Sequence, residues 1–380
     1  MSREVDTVVI GGGPAGASCA ITLQKLGVPH LLLDKCTFPR NKTCGGLMTQ
    51  KTYDLLAEKL LPGKLEAAVR EGLFREVSHT LELFDRTERL TRSQLEQPLR
   101  SVRRFDFDHF LIRQYRALGG TLLEGERGYR LELANHRLVL RSGERIAFRH
   151  LVAADGALSK TRAALRCEPP QLGFCVETFV PKALLPEVDA VQVCFGAVPA
   201  GYAWVFPSGR ELCIGLGGIY EKQTDYPALL RDFLSSLGLD ADAFAFKGAF
   251  VPAGKPVDQR GTPQDVLLIG DAGGFVDPIY GEGLYCALDT GIAAAEAIAD
   301  GGALAKARFL QNTAALSRLL RQGVQMQRIF FRERTLRRFL QRIRGKDRFV
   351  GFYSDNHLSA YRYSYAGLWK LLLQYHTKLQ

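Results

Sequence analysis

The residues best suited to chemistry begin at position 11. "GGGPAG" supplies Gly11, Gly13 and Gly16 in GxGxxG spacing, after the apolar run "EVDTVVI" and before a helical pattern. In such a turn the first glycine permits the sharp reversal, and the second lets backbone approach a pyrophosphate. The third packs helix against strand. The helix N-terminus then offers unpaired amides and the positive end of its dipole to the phosphates. Asp34 closes a second apolar run, "PHLLLD", 18 residues after Gly16, where its carboxylate can accept from a ribose hydroxyl. Together these residues predict a bound dinucleotide.

A second set, "DVLLIGDAGGFVDPIYGEGLYCAL", points to which dinucleotide. A buried strand feeds Gly270-Asp271, a carboxylate for further sugar or ribityl hydroxyls. Gly281-Glu282-Gly283 opens a helix over 283–300 whose first amides can face a flavin pyrimidine edge. That end favours an anionic reduced flavin by ~0.3–2 kcal/mol. For a two-electron couple this is on the order of tens of millivolts. FAD is therefore the expected cofactor. "ADGALSKTR" places Asp155, Gly156, Ser159 and Arg162 after another buried strand, where a helix cap and a cofactor role both fit.

A third set is apolar. In "PAGYAWVFPSG", Tyr202, Trp204 and Phe206 occupy alternate positions, so a strand there shows three rings on one face and Gly201 and Ala203 on the other. Such a wall is either core packing or a rigid lining for a large apolar ligand. Cys44 follows Arg40 and Lys42, cations that activate a thiol when close, and precedes Gly45-Gly46. A core role and a cavity-lining role are both open for it, and the spacing to Cys36 gives a redox pair no support. The eight cysteines form no CxxC and no His/Cys cluster. No metal and no disulfide framework are expected, and a reducing, cytoplasmic setting suits them.

The elements that must position these groups follow from periodicity. Residues 4–34 read as strand, helix, strand. Helical patterns cover "KTYDLLAEKL" and "FDFDHFLIRQYRAL", three short strands lie between 128 and 154, and residues 172–252 are strand-rich with one helix near 226–237. The two dinucleotide-type segments are over 200 residues apart, so one nucleotide-binding unit must draw on both ends of the chain. The fold class expected is α/β: a Rossmann-like unit from 1–170 and 253–302, with part of the cavity around 44–100. A β-rich substrate unit occupies 171–252, and a basic helical region 303–380.

At 380 residues with 46% hydrophobic and 24% charged residues, the chain is of ordinary globular composition. Its net charge of +10 is unevenly spread. Residues 301–380 hold 16 Lys+Arg against 3 Asp+Glu, and the first 300 hold 34 against 37. That distribution argues against a main body that grips nucleic acid. The tail, with Leu336, Phe339, Leu340 and Ile343 at helical spacing and Tyr361, Tyr363, Tyr365 and Trp369 beyond, suits either peripheral contact with an anionic membrane or inward packing with solvated arginines. No stretch approaches the roughly 20 apolar residues of a membrane span, and the opening residues lack a secretory pattern.

These motifs, with "FPRNKTCGG" and Arg104 before "FDFDHFL", resemble in order and over about residues 4–300 the geranylgeranyl reductase family of FAD-dependent oxidoreductases, within the p-hydroxybenzoate-hydroxylase-like flavoproteins. The narrower signals are Lys42-Thr43-Cys44-Gly45-Gly46 and Pro199-x-x-Tyr202-x-Trp204-x-Phe206-Pro207. The resemblance implies that Gly11, Gly13, Ala15, Gly16, Asp34 and Lys35 hold the ADP half of FAD, with Arg104 and Asp271 near the pyrophosphate and ribityl chain. It implies that Gly45, Asp155 and Gly156 also touch cofactor and that Gly281 to Gly283 lie beside the isoalloxazine. Cys44, Tyr202, Trp204 and Phe206 would line the cavity that takes an isoprenoid chain.

The implied activity is reduction of carbon–carbon double bonds by hydride from reduced flavin, with NAD(P)H or a protein as electron donor. The proton donor stays open between Tyr202 and Cys44. Two other readings share the scaffold: a flavin monooxygenase or halogenase, and a flavin-containing lipid-binding protein. Against a halogenase, the WxWxIP pattern is replaced here by Tyr202-Ala203-Trp204-Val205-Phe206-Pro207.

Overall fold

The computed structural model describes residues 2–358. Strand Ser2–Ile10 stands at the middle of a seven-stranded sheet. It pairs in parallel with His30–Leu33 on one side and Arg145–Ala153 on the other, and the latter pairs in parallel with Val266–Leu268. These strands are runs of valine, leucine and isoleucine because both faces of a parallel sheet are covered. Val9, Leu32, Val152 and Leu267 point to one side, into a core shared with helices Pro14–Lys25, Arg104–Ala117 and Leu284–Gly301. Val8, Leu31, Leu151 and Val266 point to the other. The segments at 2–34 and 266–301, distant in sequence, thus meet in one sheet.

Helices Pro14–Lys25 and Leu284–Gly301 approach closely because Gly291 carries no side chain. A Cβ there would stand 2.0 Å from Ser18 Oγ and 2.3 Å from the Ala15 carbonyl oxygen. Ser18 Oγ instead donates to the Leu288 carbonyl at 3.1 Å. This crossing brings the N-termini of both helices to the same end of the sheet.

The second sheet has eight strands. The expected β-rich segment supplies five of them: Leu172–Pro181, Val191–Phe195, Gly201–Ser208, Glu211–Ile219 and Lys247–Pro252. The other three come from earlier in the chain: Leu47–Met48 and the long hairpin Phe74–Asp85 with Glu88–Val102, which joins by a parallel pairing with Val191–Phe195. One face is covered by helix Tyr226–Ser236, whose Leu230, Phe233 and Leu234 pack on Ala203, Val205 and Leu216. The helix starts where Asp225 accepts the Ala228 amide at 3.0 Å, a side-chain cap of the usual kind.

The opposite face bears the aromatic rings and is roofed by helices Ala314–Phe330, Glu333–Ile343 and Asp347–Tyr353. Leu340 and Ile343 are buried there, and Leu336 and Phe339 pack beside them against the cluster that holds Trp204 and Phe206. The apolar stripe of the basic region therefore points inward. Its arginines 318, 321, 328, 334, 337, 338 and 342 are exposed. Tyr361, Tyr363, Tyr365 and Trp369 lie outside the described residues. Among the described residues no helix is long and apolar enough to cross a membrane.

Candidate active site

One continuous cavity of about 600 Å³ runs from Gly13 at the first sheet to Phe349 at the helical roof. Its nucleotide half is built by close backbone contacts. Gly11 has φ +103°, and a Cβ on it would lie 2.3 Å from the Ala154 carbonyl oxygen. A Cβ on Gly16 would lie 1.7 Å from the Gly11 carbonyl oxygen, so any other residue parts helix from strand. Gly13 is different, since its missing side chain would face only Arg40, at 3.5 Å. Gly13 is the N-cap of its helix with no side chain capping it, which leaves the first-turn amides for a ligand.

Asp34 is buried, and its two oxygens accept the Gly12 and Cys36 amides, each at 2.7 Å. It ties the glycine turn to the second strand and keeps further lone pairs for a hydroxyl. Lys35 is exposed at the cavity rim, and Ala15 is buried beneath the turn.

Arg104 reaches the cavity from the first turn of helix Arg104–Ala117 and holds Asp108 in a two-pronged pair, at 2.6 and 2.8 Å. Arg40 meets the same carboxylate at 3.1 Å. Asp108 is fully buried, so two guanidinium groups share one negative charge. The surplus positive charge stands beside Gly13, where a pyrophosphate would add the missing anion. Sequence reading found Arg104 but not Arg40 in this role, nor Asp108; only the i,i+4 spacing of Arg104 and Asp108 was visible.

Asp271, in the turn Gly270–Gly273, lines the cavity, and its carboxylate has no hydrogen-bond partner among the described residues. Its carboxylate is available to sugar-like hydroxyls. Gly283 is the N-cap of helix Leu284–Gly301 and is likewise uncapped by any side chain. Glu282 turns away from the cavity centre into a buried set: Lys51 Nζ at 2.5 Å, Thr49 Oγ1 at 3.0 Å and Thr52 Oγ1 at 3.1 Å. Asp277 Oδ1 accepts the amides of Ile279 and Tyr280, each at 3.0 Å. These contacts fix Gly281 at φ +66° at the edge of the cavity. Asp155 serves as a local anchor: Ser159 Oγ, Thr161 and Tyr129 all donate to it, and Ser159 caps the short helix Lys160–Ala164. Asp155 and Gly156 also line the cavity.

The apolar half begins where loop 36–46 presses on the second sheet. A Cβ on Gly45 would meet the Phe206 ring at 3.1 Å, and one on Gly46 the Val102 carbonyl oxygen at 2.0 Å. Tyr202, Trp204 and Phe206 all line the cavity, with centroids 6.3 and 6.0 Å apart along the strand. The neighbouring strand is cut back to receive them. A Cβ on Gly215 would stand 2.4 Å from the Trp204 ring, and one on Gly217 would stand 2.5 Å from Cys175 Sγ. Beyond the rings the lining is Leu81, Leu83, Leu99, Val191 and Val193 below, with Phe330, Phe339 and Phe349 above. The Tyr202 hydroxyl donates to the Tyr280 carbonyl and the Tyr280 hydroxyl meets that of Tyr353, so the roof is tied to the loop before Gly281.

Cys44 lines the cavity, and its amide donates to Glu177 Oε1 at 2.8 Å. Glu177 was not foreseen, although a charged residue inside the apolar strand pattern "FCVETFV" was the available signal. It is buried, and burial pushes its carboxyl above the usual glutamate range against the Cys44 amide and the cations Lys42 and Arg103, which favour the ionised form. Burial likewise pushes the Cys175 thiol up to about 12 and raises the Tyr202 phenol.

The residues present fit FAD: two uncapped helix N-termini, a surplus guanidinium charge at Gly13 and an unengaged carboxylate at Asp271 all face one cavity. Comparison with known proteins agrees. Residues 4–178 match the family described as FAD binding domain. A geranylgeranyl diphosphate reductase of Rhodobacter capsulatus is 30% identical over 316 residues, covering 77% of this chain and 75% of that one. A menaquinone reductase of Mycolicibacterium smegmatis is 28% identical over 330 residues, 80% and 78% of the two chains. The crystal structure of a geranylgeranyl bacteriochlorophyll reductase-like protein from Thermoplasma acidophilum superposes with a TM-score of 0.76 at 17% identity, covering 98% of this chain and all of that one, and so shares the fold. With FAD as its cofactor and a relative of that identity matched over three quarters of its length, the chain belongs to the geranylgeranyl reductase family of FAD-dependent oxidoreductases.

Proposed function

We propose that this enzyme saturates carbon–carbon double bonds in a polyprenyl chain, free or attached to a lipid or quinone head group. The observation that carries the reading is the continuity of the cavity: the end lined by Gly281 and Gly283 opens directly into the aromatic and aliphatic half. A polyprenyl chain offers no polar handle, so its binding must come from apolar area, at about 25 cal/mol per Å² removed from water. The names of the relatives point the same way, since one is a reductase of geranylgeranyl diphosphate and the other of menaquinone, a prenyl-tailed quinone.

When bound and reduced, FAD would supply the hydride that one alkene carbon takes. The chain's own residues do the rest. Gly11, Gly13 and Gly16, with Arg40 and Arg104, would hold the pyrophosphate, while Asp34 and Asp271 would take hydroxyls. Tyr202, Trp204 and Phe206 would orient the alkene toward the cavity end lined by Gly281 and Gly283, and a productive hydride transfer needs an approach of about 3–3.5 Å. The roof of Phe330, Phe339 and Phe349 keeps water out. Either NAD(P)H or a reduced protein serves as electron donor.

The exposed arginines of helices Ala314–Phe330 and Glu333–Ile343 dock the enzyme on the anionic face of a membrane, where such a substrate resides. Because the apolar stripe of those helices is already used inside, the contact is electrostatic and weakens with salt. The test is lipid mass spectrometry of cells with and without the gene. The reading predicts loss of species two mass units heavier per saturated bond when the gene is absent. Loss of oxygenated species instead would assign the protein to the monooxygenases of the same fold.

A further inference from the structure

Saturating an alkene takes a hydride at one carbon and a proton at the other, and the apolar half of the cavity excludes the water that could supply the second. Among the described residues four carboxyl groups line the cavity: Asp155, Glu177, Asp271 and Glu282. Asp155 is engaged by Ser159, Thr161 and Tyr129, and Glu282 by Lys51 and two threonines. Asp271 stands at the nucleotide half, in the Gly270–Gly273 turn. Glu177 is the one that stands on the sheet face bearing the aromatic wall.

The register shows how it gets there. Gly215 pairs with Trp204 on one side and with Glu177 on the other. Lacking a side chain, Gly215 lets the Trp204 ring lie over it toward Glu177. Glu177 Oε1 is held by the Cys44 amide at 2.8 Å, and among the described residues Oε2 has only the Cys213 thiol, at 3.9 Å. The charged and titratable groups facing it are Lys42 and Cys44 on the loop, Arg103 before its helix, Cys213 on the adjacent strand and Cys175 on its own. Arg103 is drawn aside, stacked on Phe179 at 3.4 Å.

We infer that Glu177 is the acid that protonates the substrate alkene, a role that rests on the alkene-saturating reading above. In the step the π bond breaks and two C–H bonds form. One takes the hydride and its electron pair from the reduced cofactor, and the other takes the Oε2 proton, leaving a carboxylate that recovers a proton from solvent. Burial favours the neutral acid, which is the form the step needs.

The test uses Glu177→Gln, which keeps an oxygen for the Cys44 amide and removes only the proton. Reduced holoenzyme is mixed without oxygen with geranylgeranyl diphosphate, and flavin reoxidation is followed against pH. Wild type is expected to react fastest at low pH and to slow as pH rises through the Glu177 titration. E177Q is expected to be at least about 100-fold slower and to lose that pH limb. Glu177→Asp should recover part of the rate. FAD content and melting temperature should be unchanged in E177Q. Infrared spectra of substrate-free holoenzyme across a pH series should show a protonated-carboxyl band that grows as pH falls and that E177Q lacks. An E177Q rate within about threefold of wild type with the same pH profile would overturn the role, since general acids contribute far more. So would normal turnover by a wild type without the band. A wild type that keeps the band but saturates no polyprenyl alkene contradicts the functional reading itself, and the acid's role falls with it.

Discussion

The two halves of the cavity are made by opposite means. The nucleotide half is mostly backbone and charge: glycine turns, two helix N-termini and a pair of arginines on one buried aspartate. At Gly11 and Gly16 the backbone contacts there admit no added Cβ. The apolar half is almost all side chain, gathered from segments between residues 44 and 358, and its contribution is area rather than direction. Recognition of a charged, hydroxyl-rich cofactor needs placed dipoles, while recognition of a hydrocarbon needs only shape and dryness. A change in the first half should therefore remove the cofactor, and one in the second should spare the cofactor and cost substrate.

The largest effect expected is at Gly16. Gly16→Val forces a side chain into the 1.7 Å gap before the Gly11 carbonyl, and we expect a loss of stability of about 3 kcal/mol or more together with loss of flavin colour. Melting curves and visible spectra of the purified variant check this. Trp204→Ala is the counterpart in the other half. It should keep FAD and raise KM for a polyprenyl substrate by about 10–100-fold, from the ~1.5–3 kcal/mol that burying an aromatic side chain provides. A variant that lost flavin and substrate together would break the division between the halves.

How far each half was legible in the sequence follows the same division. Gly11 to Gly16 with Asp34, and Asp271 with Gly281 to Gly283, are short motifs whose meaning lies in local spacing, and their strand–turn–helix context could be read directly. The alternation of Tyr202, Trp204 and Phe206 showed that they share a face, but not what lay opposite. That answer required the parallel pairing of Phe74–Asp85 with Val191–Phe195 and the docking of helices after residue 313, both non-local. Segment 74–102 was not foreseen as strand, because its many charged residues mask alternation. Glu177 and Asp108 were hidden for a related reason: a buried charge is identified by its surroundings, and those come from other parts of the chain.

A smaller effect distinguishes useful buried charge from costly buried charge. Lys306, 1% exposed, donates to Thr262 Oγ1, and desolvation lowers its pKa to about 8. Between that value and the unfolded 10.5 the unfolded chain binds more protons, so stability rises with pH across this window. Lys306→Met should stabilise the protein by about 2 kcal/mol at pH 7, and the gain should fade as pH climbs from 8 toward 10.5. Thermal unfolding at a series of pH values reads it.

The smallest effect expected lies outside both halves. Arg338→Gln on the exposed face should weaken partition onto anionic vesicles by about fivefold, near 1 kcal/mol, and leave flavin and turnover in detergent unchanged. Partition that ignores both this change and added salt would remove the membrane contact.

The central claim is that reduced flavin in this cavity meets an alkene of a polyprenyl chain. Stopped-flow mixing of dithionite-reduced holoenzyme with geranylgeranyl diphosphate, oxygen excluded, tests it most directly. The account predicts return of the oxidised flavin spectrum in step with a product two mass units heavier. A flavin that stays reduced in the presence of saturating polyprenyl substrate, yet reoxidises at once with oxygen to give a hydroxylated product, would contradict it.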